Sequence, residues 1–111
     1  MRKYYNKLIR DNIPKVINED NKMCKTHTVE SDEEFLKALK DKLSEECKEF
    51  LDTENVEELA DILEVLKYLM KYYGYTEDDL FDVCDKKKEY SGGFEKRLIL
   101  EYVEDGLDDE L

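Results

Sequence analysis

The stretch SDEEFLKALKDKLSEECKEFLDTENVEELADILEVLKYLMKYYG, residues 31–74, decides the fold of this chain. Ser31 followed by Glu34 is a capping box, in which a hydroxyl and a carboxylate satisfy the first free N–H groups of a helix. Behind it, Phe35, Leu36, Leu39, Leu43, Cys47 and Phe50 recur at the three- and four-residue spacing of one helical face. The spacing predicts a helix over 32–52. Thr53-Glu54-Asn55 then makes a turn, Asn55 being suited to cap a second helix that carries Val56, Leu59, Ile62, Leu63, Leu66, Leu69, Met70 and Tyr73 to a stop at Gly74. Helices joined by so short a connection run antiparallel, so the pair is expected to form a hairpin.

Toward the C-terminus, Thr76 with Asp79 opens a third helix through Leu80, Phe81 and Cys84 to Lys86-Lys87-Lys88, and Ser91-Gly92-Gly93 ends it. Residues 94–103, with Phe94, Leu98, Leu100 and Tyr102, are expected to form a short strand or helix, and 104–111 an acidic tail. Toward the N-terminus, residues 1–30 read as a basic irregular segment. Pro14 biases Ile13 away from helix, which leaves one short helix after Pro14 and a loop over 19–30. With only four Gly and one Pro, and no internal repeat, the chain reads as one all-α domain over 1–111, a helical hairpin plus a further helix.

A length of 111 residues fits a single domain. The 41% hydrophobic content, with eight Tyr and four Phe, supplies a core despite 43% charged residues, which excludes a disordered acidic tail. No apolar run approaches the ~20 residues of a membrane helix, and the N-terminus has no signal-like apolar region, so a soluble, cytoplasmic protein without a membrane partner is expected. Cys24, Cys47 and Cys84 are an odd set without CxxC spacing, which argues against a disulfide framework or a zinc site. A net charge of −12 argues against a nucleic-acid partner. That charge is uneven: residues 1–25 hold seven basic and three acidic side chains, for +4, and the rest carry −16. A solvated terminus accounts for this asymmetry as readily as a functional one.

The hairpin carries carboxylates where apolar residues belong. Advancing about 100° per residue places Glu46 between Phe35 and Leu39 on the apolar arc of the first hairpin helix, with Glu49 on the rim. On the second helix Glu58 falls inside the arc and Asp61 at its edge beside Tyr68 and Tyr72, two aromatics of the core or of a subunit interface rather than base-stacking residues. A carboxylate facing a core is costly unless it is paired, protonated or metal-bound. The short turn brings Glu49 and Glu58 together, so Glu46, Glu49, Glu58 and Asp61 converge, and a hard divalent cation relieves their repulsion. No Glu-x-x-His pair of a di-iron bundle is present and the lone His27 lies in a loop, which favours magnesium or manganese over iron. An alternative stays open: Glu58 three residues after Asn55 could complete a capping box, and Glu46 and Glu49 could pair with Lys42 and other lysines.

Glu45-Glu46-Cys47-Lys48-Glu49 followed by Glu58-Leu59-Ala60-Asp61 resembles the EExxE…ExxD signature of the all-α nucleoside triphosphate pyrophosphohydrolases, the MazG-like superfamily that includes phosphoribosyl-ATP pyrophosphohydrolase and dimeric dUTPases. Lys7-Leu8-Ile9-Arg10-Asp11-Asn12-Ile13-Pro14 is similar to the KLVRDKIP element of a small subfamily, and Gly92-Gly93-Phe94-Glu95-Lys96 to its GGFEK segment. The likeness extends to about residue 103. It implies hairpins paired into a four-helix-bundle-type dimer, or a dimer of dimers, that cleaves a nucleoside triphosphate between the α- and β-phosphates. It further implies magnesium held by Glu46, Glu49, Glu58 and Asp61, a metal-activated water whose proton goes to Glu46 or Glu45, and a small-molecule nucleotide as substrate.

Under the same resemblance Lys7 and Arg10 engage the β- and γ-phosphates, Asp11 orients Arg10 or binds substrate, and Lys87, Lys88 and Lys96 are further phosphate contacts. A non-canonical nucleotide removed as house-cleaning is the expected substrate. Phosphoribosyl-ATP hydrolysis in histidine biosynthesis is the alternative within enzymes, and a non-catalytic acidic helical interaction module the alternative outside them. Eight residues separate Glu49 from Glu58, fewer than is usual in the superfamily, which leaves little structure for a base pocket; the preferred base and sugar do not carry over.

Overall fold

Two side chains set where the long helices begin. Ser31 Oγ accepts a hydrogen bond from the Glu34 N–H at 3.1 Å, and Asn55 Oδ1 accepts one from the Glu57 N–H at 2.9 Å. The computed structural model describes residues 1–104 as four helices, α1 (Ile13–Glu19), α2 (Asp32–Thr53), α3 (Val56–Tyr72) and α4 (Glu77–Ser91), with no strand among the described residues. The protein is all-α. Asp32, Glu33 and Glu34 in the first turn of α2, and Glu57 and Glu58 in that of α3, complement the positive ends of their helices.

The link between α2 and α3 is short because α2 ends on a left-handed residue. Glu54, at φ 53°, donates its N–H to the Phe50 carbonyl at 2.7 Å and turns the chain back. At the far end of α3, Gly74 takes φ +82° while its own N–H reaches Lys71 O and the Tyr75 N–H reaches Met70 O. This is a Schellman closure, for which glycine has no Cβ penalty. Pro14 lies in the first turn of α1, which begins at Ile13; a proline there forfeits no helical hydrogen bond.

Helices α2 and α3 pack against one another as the hairpin, with Leu39 and Val65 as its buried apolar residues. Leu51, Val56, Leu59, Leu63 and Tyr68 stay exposed, so the apolar stripe is wider than one hairpin covers. The chain divides into two compact units: Met1–Glu77, which contains the hairpin, and a second that begins at Asp78 and contains most of α4. The strand or helix expected over 94–103 does not form. Arg97 closes a turn onto Phe94 O at 3.1 Å, and the segment after it has no regular structure, since among the described residues no strand exists to receive its hydrogen bonds. Residues 105–111, nearly all of the expected acidic tail, lie outside the described residues. The three cysteines are free, and no helix among the described residues is long and apolar enough to cross a membrane.

Candidate metal centre

Glu46 is the pivot of the site because α2 turns it toward α3 and leaves it only 5% exposed. Its Oε1 meets Lys42 Nζ at 3.2 Å, one helical turn away, so the lysine pairing open to the sequence does form. It satisfies half of the carboxylate: Oε2 is sealed from solvent without a hydrogen-bond partner. An acceptor in that state carries its full desolvation cost, and a bound cation would remove it. One oxygen from each of Glu46, Glu58 and Asp61 lies within 4.8 Å of the other two. Oxygens at roughly 2–2.5 Å from one ion stand at most about 5 Å apart, so the spacing fits a single hard cation.

Glu49 stands beside this trio rather than within it. Removal from water raises the Glu58 carboxyl above its ordinary value, and the Glu49 charge and a hydrogen bond shared with Glu49 raise it further, with Asp61 and Glu46 adding to the effect. Glu46 is also raised, first by burial and then by Glu49 and Asp61, against the opposing pull of Lys42. Carboxyls pushed toward protonation by one another form a cluster short of positive charge. All three donors are hard oxygens, with no His or Cys among them, a set suited to magnesium or manganese.

Cations from the N-terminal segment line the rim. Lys7 hydrogen-bonds Glu45, which Lys42 also reaches at 3.3 Å. Desolvation pushes Glu45 upward, but the Lys7 hydrogen bond and the Lys42 charge outweigh it and hold the carboxyl below its ordinary range. Lys7 is raised in turn, chiefly by that hydrogen bond, and its ammonium lies 5.6 Å from the centre of the Tyr5 ring. Arg10 spans two acids of α3, with Nη2 at 2.8 Å from Asp61 Oδ1 and Nη1 at 3.4 Å from Glu64 Oε2.

Glu64 is absent from the sequence reading. The signal that could have found it is its place three residues after Asp61 on the same helical face. Asp11 is exposed in the turn that leads into α1. Lys87, Lys88 and Lys96 are exposed in the second unit, whereas every residue of the cluster and its rim belongs to the first. Tyr68, 45% exposed, is not a core residue of the hairpin. It lines an open groove of about 520 Å³ with Asp32, Phe35, Lys71 and Tyr72, and a second of about 270 Å³ with Glu64, Lys67, Lys71 and Glu77. Compared with known proteins, the chain matches no family model, no curated protein and no solved structure.

Proposed function

We propose that this protein is a divalent-metal-dependent nucleoside triphosphate pyrophosphohydrolase of the MazG-like kind, which releases pyrophosphate and a nucleoside monophosphate. The observation that carries this reading is the buried, unpartnered Glu46 Oε2, in a carboxylate grouped with Glu58 and Asp61. Glu46, Glu58 and Asp61, with Glu49 alongside, would hold the magnesium or manganese. Such an ion neutralises phosphate charge and lowers the pKa of a bound water to make a nucleophile.

The protein's own residues do the rest. Glu46, whose Oε2 is buried without a donor, is better placed to accept the water's proton than Glu45, which is paired with both Lys7 and Lys42. Glu45 instead fixes Lys7 at the rim. Lys7 as a point charge and Arg10 through its forked donors bind the β- and γ-phosphates that the metal leaves uncovered. An acidic protein thereby takes an anionic substrate together with its cation. A non-canonical nucleotide is the substrate we favour. The exposed Leu59 and Leu63 of α3 support pairing with a second copy into a four-helix bundle.

The test is pyrophosphate release from a panel of canonical and modified nucleotides, phosphoribosyl-ATP included, with and without magnesium. Magnesium-dependent turnover of at least one nucleotide is expected. Silence across the panel, with no magnesium-dependent thermal shift, would reject the enzyme. Asp61→Asn and Glu49→Gln should each abolish turnover while circular dichroism keeps its helical signal; near-native turnover in either would remove that residue from the metal site.

A further inference from the structure

Arg10 stands in two ion pairs at once, and its two carboxylates differ in what else claims them. Asp61 belongs to the trio whose oxygens are close enough to share a cation, and Glu64 does not. A cation in the centre would draw on the same Asp61 carboxylate that Arg10 holds, whereas the carboxylate of the Glu64 pair lies outside the trio. We infer that Glu64 is a positioning residue, which keeps the Arg10 guanidinium at the rim of the metal centre when a divalent cation takes Asp61. Nη2 is then released toward an incoming phosphate while Nη1 stays anchored. The inference rests on the metal reading above and adds to it the means by which the cation and the phosphate-binding arginine trade partners.

Three features carry it. Residues 1–10 contain no helix or strand, and the Arg10 side chain is 53% exposed, so without an anchor this arginine either clamps Asp61 or leaves for solvent. Glu64 sits one turn from Asp61 on the rigid α3, which fixes the distance over which the guanidinium has to span. A guanidinium presents separate donors in a rigid fork, so it can exchange one partner and keep the other, which a lysine ammonium does with far less direction.

The experiment titrates nucleotide-free protein with Mn2+ by calorimetry, comparing wild type, Arg10→Ala, Arg10→Lys, Glu64→Gln and Glu64→Gln combined with each Arg10 substitution, each checked for helical content. Arg10→Ala should bind Mn2+ more tightly, by up to about fivefold, the scale of an exposed ion pair that no longer competes. Glu64→Gln should weaken binding by a similar factor, because Arg10 then falls back on Asp61 alone. That weakening should shrink in the Arg10→Ala background and in the Arg10→Lys background, since the effect passes through the fork. In the presence of Mg2+, Glu64→Gln should lower the affinity for inorganic pyrophosphate as Arg10→Ala does.

An equal effect of Glu64→Gln in every background would show that Glu64 acts only through its charge and would overturn the inference alone. So would Mn2+ binding that neither substitution changes. Failure of all six proteins to bind Mn2+ would overturn the metal reading, and this inference with it.

Discussion

At Glu46 one carboxylate oxygen meets Lys42 and the other meets nothing, and the same burial that sets this cost raises the carboxyl toward protonation. The consequence for pH has a definite sign. Glu46 and Glu58 lie above their ordinary value of 4.5 in the folded state, so the fold favours their protonated forms. Their contribution to stability is complete below that value and is lost as pH rises through the elevated folded values. Glu45 runs the other way: its pairs with Lys7 and Lys42 contribute above the ordinary value and are lost as pH falls through the depressed one. The melting temperature in chelator should therefore fall between mildly acidic and neutral pH, and magnesium should restore it at pH 7 by replacing the protons. Glu46→Gln should flatten that slope, raise the metal-free melting temperature and remove the magnesium response. A magnesium shift that survives in Glu46→Gln would separate Glu46 from the cation.

Among the elements, the α2–α3 turn decides whether carboxylates from two helices meet. Asn55 starts α3 at Val56, which places Glu58 in the first turn and Asp61 in the second, both on the side that faces Glu46. Glu54 holds a left-handed conformation that costs a residue with a Cβ roughly 1–2 kcal/mol. Glu54→Gly should accordingly raise stability by about 1 kcal/mol in urea denaturation without altering metal binding, since glycine keeps the left-handed backbone that ends α2 and Asn55 still caps α3. Destabilisation by this substitution would mean that the Glu54 side chain makes a contribution its backbone geometry conceals.

For the whole molecule, the sparse interior of the hairpin is the governing fact. Only Leu39 and Val65 are buried apolar residues among those described, while Leu51, Val56, Leu59 and Leu63 lie open. Under the proposed reading, an apolar face of that width pairs with a second copy of the chain. Sedimentation should show a dimer or larger assembly, and Leu63→Glu, which sets a charge in the middle of the α3 stripe, should shift it toward monomer and lower its melting temperature. A wild type that sediments as a monomer at all concentrations would reject the pairing.

Much of this was legible in the chain itself. The hairpin followed from Ser31, Asn55, Gly74 and the apolar spacing between them, because capping and helical periodicity are local and need no partner. The inward turn of Glu46, and the presence of Glu58 and Asp61 on the facing arc, followed from the same periodicity. What the sequence left open depended on contacts between residues far apart in it. Neither strand nor helix forms over 94–103, where apolar residues alone do not supply hydrogen-bond partners. Glu64 joined the site only when Arg10, 54 positions earlier, was seen to bridge it to Asp61. Periodicity placed four acids on converging arcs, but only the packing of α2 against α3 set three of them within reach of one ion and left Glu46 Oε2 without a donor. Helix phase fixes the direction in which a side chain leaves the backbone; the distance to its neighbour on another element is set by how the two pack.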